Sequence, residues 1–257
     1  MKVICVQLDI AWEDRSTNFA KVRAMIDKFR PDPGALLVLP EMFASGFSMN
    51  VSKIKEEAPL TSEEFLGEIA RLYRVFIIAG LATQGSDGKG RNQAVAVDDQ
   101  GKTFLRYSKL HPFTLGGEAQ HYSAGNCIES FNWFGCVTTP FICYDLRFPE
   151  IFRAATRKGA HLFTVIANWP NKREQHWVTL LQARAIENQA YVVGVNRCGS
   201  DPAHVYPGRT LVVDPHGTII ADGGREEGLV TADVDVAKVI SWRKEFPVLQ
   251  DTRLIAG

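Results

Sequence analysis

Short apolar runs separated by amphipathic stretches recur along the chain. Segments 3–9, 36–40, 75–82 and 92–98 are rich in branched side chains and predict strands. So do 103–109, 137–143, 162–167, 191–196, 210–213 and 229–233. Between them, 17–29 carries Phe19, Val22, Met25, Ile26 and Phe29 at helical spacing, so one apolar stripe faces a core. Thr61-Ser62-Glu63-Glu64 has the form of a capping box, with Thr61 accepting from the Glu64 N–H and Glu64 from the Thr61 N–H; it opens a helix running to Tyr73. Pro149 suits a first helical turn and Gly159 a C-terminal cap, framing a helix over 150–158. A longer helix over 175–189 carries Trp177, Leu180, Leu181 and Ile186. Turn signals such as Gly85-Ser86-Asp87-Gly88 and Asp214-Pro215-His216-Gly217 separate the strands, and no linker, repeat or low-complexity tract interrupts them. The pattern predicts one layered α/β domain over 257 residues, with 236–257 as a C-terminal tail lying over the body or over a partner.

Composition narrows the function classes. Lys plus Arg total 29 and Asp plus Glu total 29, a balance that argues against a general nucleic-acid binder. No apolar stretch approaches the roughly 20 residues that span a bilayer, so no membrane partner is expected. The N-terminus runs straight into a strand without a cleavage-site pattern, which predicts a cytoplasmic protein. The five cysteines (Cys5, Cys127, Cys136, Cys143, Cys198) are odd in number and lack C-x-x-C spacing. They predict neither a metal site nor a disulfide framework, and a reducing compartment leaves one of them available for its reactivity.

Three segments carry candidate chemistry. In Pro140-Phe141-Ile142-Cys143-Tyr144-Asp145-Leu146-Arg147-Phe148-Pro149 an apolar strand ends at a cysteine and a helix follows after a short turn. That is a nucleophile-elbow pattern with Cys in place of Ser; the alternative is a buried structural cysteine. In Ala35-Leu36-Leu37-Val38-Leu39-Pro40-Glu41 a carboxylate directly follows an apolar strand. Glu41 is either solvent-facing or a buried acid/base whose carboxyl burial would raise toward a working range. In Phe104-Leu105-Arg106-Tyr107-Ser108-Lys109, alternation puts Lys109 on the face of Leu105 and Tyr107. That position is costly unless the ammonium is paired or reaches water.

Together Leu39-Pro40-Glu41, Tyr107-Ser108-Lys109-Leu110-His111 and Ile142-Cys143-Tyr144-Asp145-Leu146-Arg147-Phe148-Pro149 resemble, in order and spacing, the nitrilase (carbon–nitrogen hydrolase) superfamily. Ala183-Arg184-Ala185-Ile186-Glu187-Asn188-Gln189 is similar to a recurrent helix of that family, and the family's second glutamate falls on Glu118, seven residues before Gly125. The resemblance covers nearly the whole chain. It implies a single-domain, four-layer α-β-β-α sandwich, commonly a homodimer or higher homo-oligomer, with no metal and no organic cofactor. It also implies a hydrolase of linear amides, with Cys143 as nucleophile, Glu41 as acid/base, Lys109 as oxyanion partner and Glu118 supporting Lys109.

Glu41-Met42-Phe43-Ala44-Ser45-Gly46-Phe47-Ser48-Met49, Ala167-Asn168-Trp169-Pro170 and His176-Trp177 resemble the bacterial omega-amidase branch. That branch implies a small-molecule substrate, the terminal amide of a 2-oxo acid such as 2-oxoglutaramate. The substrate's carboxylate would need a cation, for which Arg147 and Arg173 are candidates. Phe47, Phe113, Tyr144 and Trp169 are candidate pocket walls. Departures from the family pattern are Pro112, Pro140 and Gly208-Arg209-Thr210, with Arg209 expected at a dimer edge or pocket rim. The rivals are an amidase for deaminated glutathione or an N-carbamoyl compound, a papain-like Cys–His hydrolase, and a non-catalytic binding member.

Overall fold

The computed structural model describes residues 1–54 and 61–253. In chain order its strands are β1 (Lys2–Gln7), β2 (Leu36–Val38), β3 (Phe76–Gln84), β4 (Gly90–Val97), β5 (Thr103–Ser108), β6 (Phe131–Trp133) and β7 (Cys136–Ile142). They continue with β8 (Leu162–Ala167), β9 (Tyr191–Asn196), β10 (Cys198–Ser200), β11 (Val205–Pro207), β12 (Leu211–Val213), β13 (Ile219–Asp222) and β14 (Gly228–Asp233). The helices are α1 (Arg15–Phe29), α2 (Val51–Ile54), α3 (Ser62–Tyr73), α4 (Glu118–His121), α5 (Pro149–Arg157), α6 (Glu174–Asn188) and α7 (Val236–Glu245). Two six-stranded sheets form, in the orders β14-β1-β2-β3-β4-β5 and β13-β12-β9-β8-β7-β6, with β10 and β11 as a separate hairpin.

Alternation along each strand decides how the sheets stack. In the first sheet Val3, Cys5, Leu36, Val38, Ile78, Ala94 and Ala96 join one apolar core with Ile142, Ile166 and Val193 of the second sheet. Their chain neighbours Ile4, Val6, Leu37, Ile77, Val95 and Val97 point the other way, into a core with Val22 and Ile26 of α1 and Phe65 and Ile69 of α3. A period of two thus sends alternate side chains to the opposite sheet and to the outer helices. On the far side, Phe152 of α5 and Trp177 and Leu181 of α6 cover the second sheet. The result is the α-β-β-α sandwich that the resemblance implies.

Each predicted strand is present, and the Thr61–Glu64 capping box opens α3 with both reciprocal hydrogen bonds formed. Strands β6, β10, β11 and β13 go unannounced in the sequence because each is only three or four residues long, too short to display a period. Two apolar positions depart from their expected burial. Phe29 is 41% exposed because α1 ends there, with Arg30 in a left-handed cap; Ile186 is 54% exposed on the outer side of α6. Within the expected C-terminal tail, α7 is docked on the body: Val239 is buried, and Arg243 donates to the carbonyls of Ala160, Asn188 and Gln189. Residues 254–257 of that tail lie outside the described residues. Pro140 is accommodated because β6 pairs with β7 only as far as Thr138, leaving one side of β7 without a partner strand.

Strands β1, β2 and β3 run parallel, as do β7, β8 and β9. Glu41, Lys109, Cys143 and Asn168 all follow the C-terminal ends of strands (β2, β5, β7 and β8), which is where open α/β sheets gather functional groups. A close backbone approach sets the position of Glu41: a Cβ on Gly80 would stand 2.4 Å from Glu41 Cα and 2.6 Å from Met42 N. Gly80→Ala should therefore destabilise the protein by about 1–3 kcal/mol, the usual cost of overpacking, in a urea titration. Gly228→Ala, where an added Cβ meets nothing within 4 Å, should be near neutral. Equal stability of the two variants would show that this approach is not tight.

Candidate active site

The sharp turn after β7 puts Cys143 at φ 46°, a left-handed conformation that costs a non-glycine residue roughly 1–2 kcal/mol. Buried contacts hold it there. The Asp145 carboxylate, fully buried, accepts from Ile142 N at 3.0 Å and from the Tyr107 hydroxyl at 2.7 Å through one oxygen. Its other oxygen accepts from His111 N at 3.0 Å and lies 2.8 Å from His111 Nδ1. From α6, Arg184 donates twice to the Leu146 carbonyl, at 3.1 and 2.8 Å. Asp145 thus ties the elbow under Cys143 to the strand that delivers Lys109.

Lys109 is 2% exposed and Glu41 and Glu118 are wholly buried. Lys109 Nζ donates to Glu41 Oε1 at 3.0 Å and to Glu118 Oε2 and Oε1 at 2.8 and 3.1 Å, and faces the Phe47 ring at 5.2 Å. Its main chain is pinned as well: Lys109 N donates to Asn92 O at 2.9 Å and Gly125 N donates to Lys109 O at 2.8 Å. Gly125 must be glycine at this distance, since a Cβ there would lie 2.2 Å from Ser108 O. Glu41 receives four donors. Asn92 Nδ2 (2.7 Å) joins Lys109 on Oε1, while Asn168 N (2.8 Å) and Asn168 Nδ2 (3.3 Å) meet Oε2.

These contacts decide the protonation states. Burial alone would push the Glu41 carboxyl up, as the sequence led one to expect, but the Lys109 charge and the hydrogen bonds from Asn92, Lys109 and Asn168 outweigh it. Glu41 is held below its ordinary range, which corrects that expectation. For Lys109, burial lowers the pKa, yet the charges of Glu41 and Glu118 carry it above the usual lysine range. Burial and the negative charge of Glu41 push the Cys143 thiol well up, against the opposing pull of Lys109. The resting arrangement is a neutral thiol, an ionised Glu41 and a charged Lys109.

Every candidate site residue except Glu118 lines one cavity. Glu118 stands behind Lys109 and also accepts from Phe113 N at 2.6 Å. Arg147 lies 4.7 Å over the Trp169 ring and Arg173 5.5 Å over the Phe113 ring. Burial and the like charge of Arg173 both push the Arg147 guanidinium down. Among the described residues neither arginine has a carboxylate partner. Arg209 does not line the cavity: it is clamped by Glu174 at 2.9 Å and Asp222 at 2.8 Å. Asn92 and Asn168, and His204 and Tyr206 from the β10–β11 hairpin, were not among the candidates. Asn92 had a signal, a polar side chain on the same strand face as Ala94 and Ala96; the hairpin had none, its strands being three residues each. Among the described residues no group of three His, Cys, Asp or Glu side chains could hold a metal ion.

Comparison with known proteins matches this arrangement to one family. The model of the carbon–nitrogen hydrolase family fits residues 2–244. A 2-oxoglutaramate amidase of Bacillus subtilis is 36% identical over 252 residues, covering 98% of this chain and 97% of its own. The omega-amidase YafV of Escherichia coli K12 is 34% identical over 257 residues, covering 98% and 96%. Among solved structures, a CN-hydrolase superfamily protein from Xanthomonas campestris, with an arsenic adduct in its active site, superimposes with a TM-score of 0.91 at 29% identity, covering 100% of this chain and 98% of that one. With the match running from end to end of the sandwich, and not only through the buried Glu41, Lys109 and Cys143 segments, this chain belongs to the carbon–nitrogen hydrolase family.

Proposed function

We propose that this protein is a cysteine-dependent amidase that hydrolyses the terminal amide of a 2-oxo acid, of the 2-oxoglutaramate type, and releases ammonia. The observation that carries the chemistry is the buried Lys109 ammonium held between Glu41 and Glu118 in the cavity that Cys143 lines. Glu41 takes the proton from Cys143 Sγ as the sulfur bonds to the amide carbon. The oxyanion is met by Lys109 Nζ and the backbone N–H of Tyr144. Collapse of the tetrahedral adduct breaks the carbon–nitrogen bond, and Glu41 returns the proton to the departing ammonia. Glu41 then takes a proton from water, whose oxygen attacks the thioester, and restores it to the sulfur as the acid leaves. Glu118, behind Lys109, orients the ammonium.

The substrate class is supported by Arg147 and Arg173, two cations on the cavity wall with no carboxylate partner among the described residues, and by the names of the relatives. A carboxylate bound between them directs the other end of a short amide toward Cys143, with Phe47, Phe113, Tyr144 and Trp169 as walls. A homodimer or higher homo-oligomer in the cytoplasm completes the reading. The exposed Ile186 on α6 and the five free cysteines are compatible with it, and sedimentation velocity tests the oligomeric state.

Ammonia release should be fastest with 2-oxo acid monoamides, slower with deaminated glutathione or N-carbamoyl compounds, and absent in Cys143→Ala. A preference for the latter substrates would replace the substrate assignment, and turnover by Cys143→Ala would end the mechanism. Arg147→Met and Arg173→Met should each raise KM for a 2-oxo acid monoamide about 10–100-fold, the scale of one charge-assisted hydrogen bond, and leave an uncharged aliphatic amide much less affected. Equal losses on both substrates would remove the carboxylate role. Glu41→Gln should abolish turnover yet move the pH midpoint of Cys143 alkylation by iodoacetamide downward. It removes the anion that raises the thiol and leaves Lys109 to stabilise the thiolate. Intact-mass kinetics across pH read this directly, and an unmoved midpoint would mean that Glu41 does not act on the sulfur.

A further inference from the structure

Asn92, on β4, is 2% exposed and touches both carboxylates that flank Lys109. Its Nδ2 donates to Glu41 Oε1 at 2.7 Å and to Glu118 Oε1 at 2.8 Å, so both amide hydrogens are committed. The amide cannot sit the other way round, because Oδ1 would then face two carboxylate oxygens. This orientation has a cost: Oδ1 is buried with no hydrogen-bond partner among the described residues. A buried amide that leaves its own acceptor unpaired to serve two anions is doing something besides filling space.

The two oxygens of Glu41 differ in consequence. Oε1 holds Asn92 Nδ2 and Lys109 Nζ (3.0 Å), two donors that occupy its lone pairs. Oε2 holds the Asn168 backbone N–H at 2.8 Å and only a long contact, 3.3 Å, from Asn168 Nδ2. Cys143 Sγ lies 3.9 Å from the carbonyl oxygen of Asn168, the residue whose backbone N–H meets Oε2. We propose that Asn92 is a positioning residue that closes Oε1 to protons and thereby assigns the proton traffic of Glu41 to Oε2. The Sγ–H bond breaks and an Oε2–H bond forms as the long Asn168 Nδ2 contact yields; the same Oε2–H later breaks to protonate the leaving ammonia. The inference rests on the reading of Glu41 as acid/base given above.

The test compares Asn92→Ala and Asn92→Ser with Glu41→Gln, using a 2-oxo acid monoamide as substrate and circular dichroism to monitor folding. Asn92→Ala should lower kcat about 10²-fold, as a misplaced catalytic group does, with KM little changed. The acidic limb of its kcat/KM profile should move up by roughly one pH unit, because an ionised Glu41 has lost a donor. Asn92→Ser, which keeps one O–H donor, should fall between Asn92→Ala and the parent in both respects. An unmoved acidic limb in folded variants, or failure of both to fold, would assign Asn92 to structure alone and overturn the proposal. Should Glu41→Gln itself keep turnover, the acid/base reading fails first; if Glu41→Gln is dead while both Asn92 variants keep the parent profile, only the role of Asn92 is lost.

Discussion

A lysine ammonium removed from water beside two carboxylates is the constraint on which this site depends. Burial of a lone charge in a protein interior carries a penalty of several kcal/mol per ion, and pairing recovers it only when the geometry is good and the remaining donors and acceptors are satisfied. Here Lys109 reaches both Glu41 and Glu118, and the carboxylates in turn take donors from Asn92, Asn168 and the Phe113 N–H. Two anions and one cation leave one negative charge in excess. The amide donors spread it, so Glu41 stays ionised although burial acts against it.

That cluster is assembled by elements far apart in sequence, and its precision comes from the backbone. Gly80 and Gly125 let neighbouring chain segments approach the Glu41 and Lys109 positions more closely than a Cβ would allow. Asp145 joins the Cys143 elbow to Tyr107 on β5 and to His111 just beyond it. The strained φ at Cys143 is therefore balanced by contacts to the same strand that carries the ammonium. Displacing either strand end would move Cys143 and the ammonium together.

Much of this was legible in the residues. Period-two alternation in 3–9 and 92–98 specifies two buried faces per strand, and the Thr61–Glu64 capping box appears as written. Leu105, Tyr107 and Lys109 share a buried face, as spacing alone implied. What alternation cannot reveal is the balance of charges at a point. Glu41 at a strand end reads as a carboxyl raised by burial, because the donors that lower it come from residues 92, 109 and 168, and nothing local announces that convergence. The β10–β11 hairpin escaped for a different reason: its strands are too short to show a period, and Tyr206 is placed by side-chain packing against the buried Arg197 at 4.4 Å.

The same charge balance accounts for the arginines on the proposed reading. An anionic substrate needs a cation, and the nearest one, Lys109, is already neutralised by two carboxylates. The excess negative charge at Glu41 and Glu118 would repel a substrate carboxylate brought close to it; at about 8 Å and an effective dielectric near 20 that repulsion is about 2 kcal/mol. A carboxylate must therefore be received elsewhere on the cavity wall, by cations whose own charge is not spent on the protein. Arg147 and Arg173 meet that condition: they stack on Trp169 and Phe113 and have no carboxylate partner among the described residues, and their mutual repulsion leaves the pair favouring an anion between them. On that reading, a neutralised lysine and two arginines on separate parts of one cavity wall would suit a substrate with its carboxylate and amide at opposite ends.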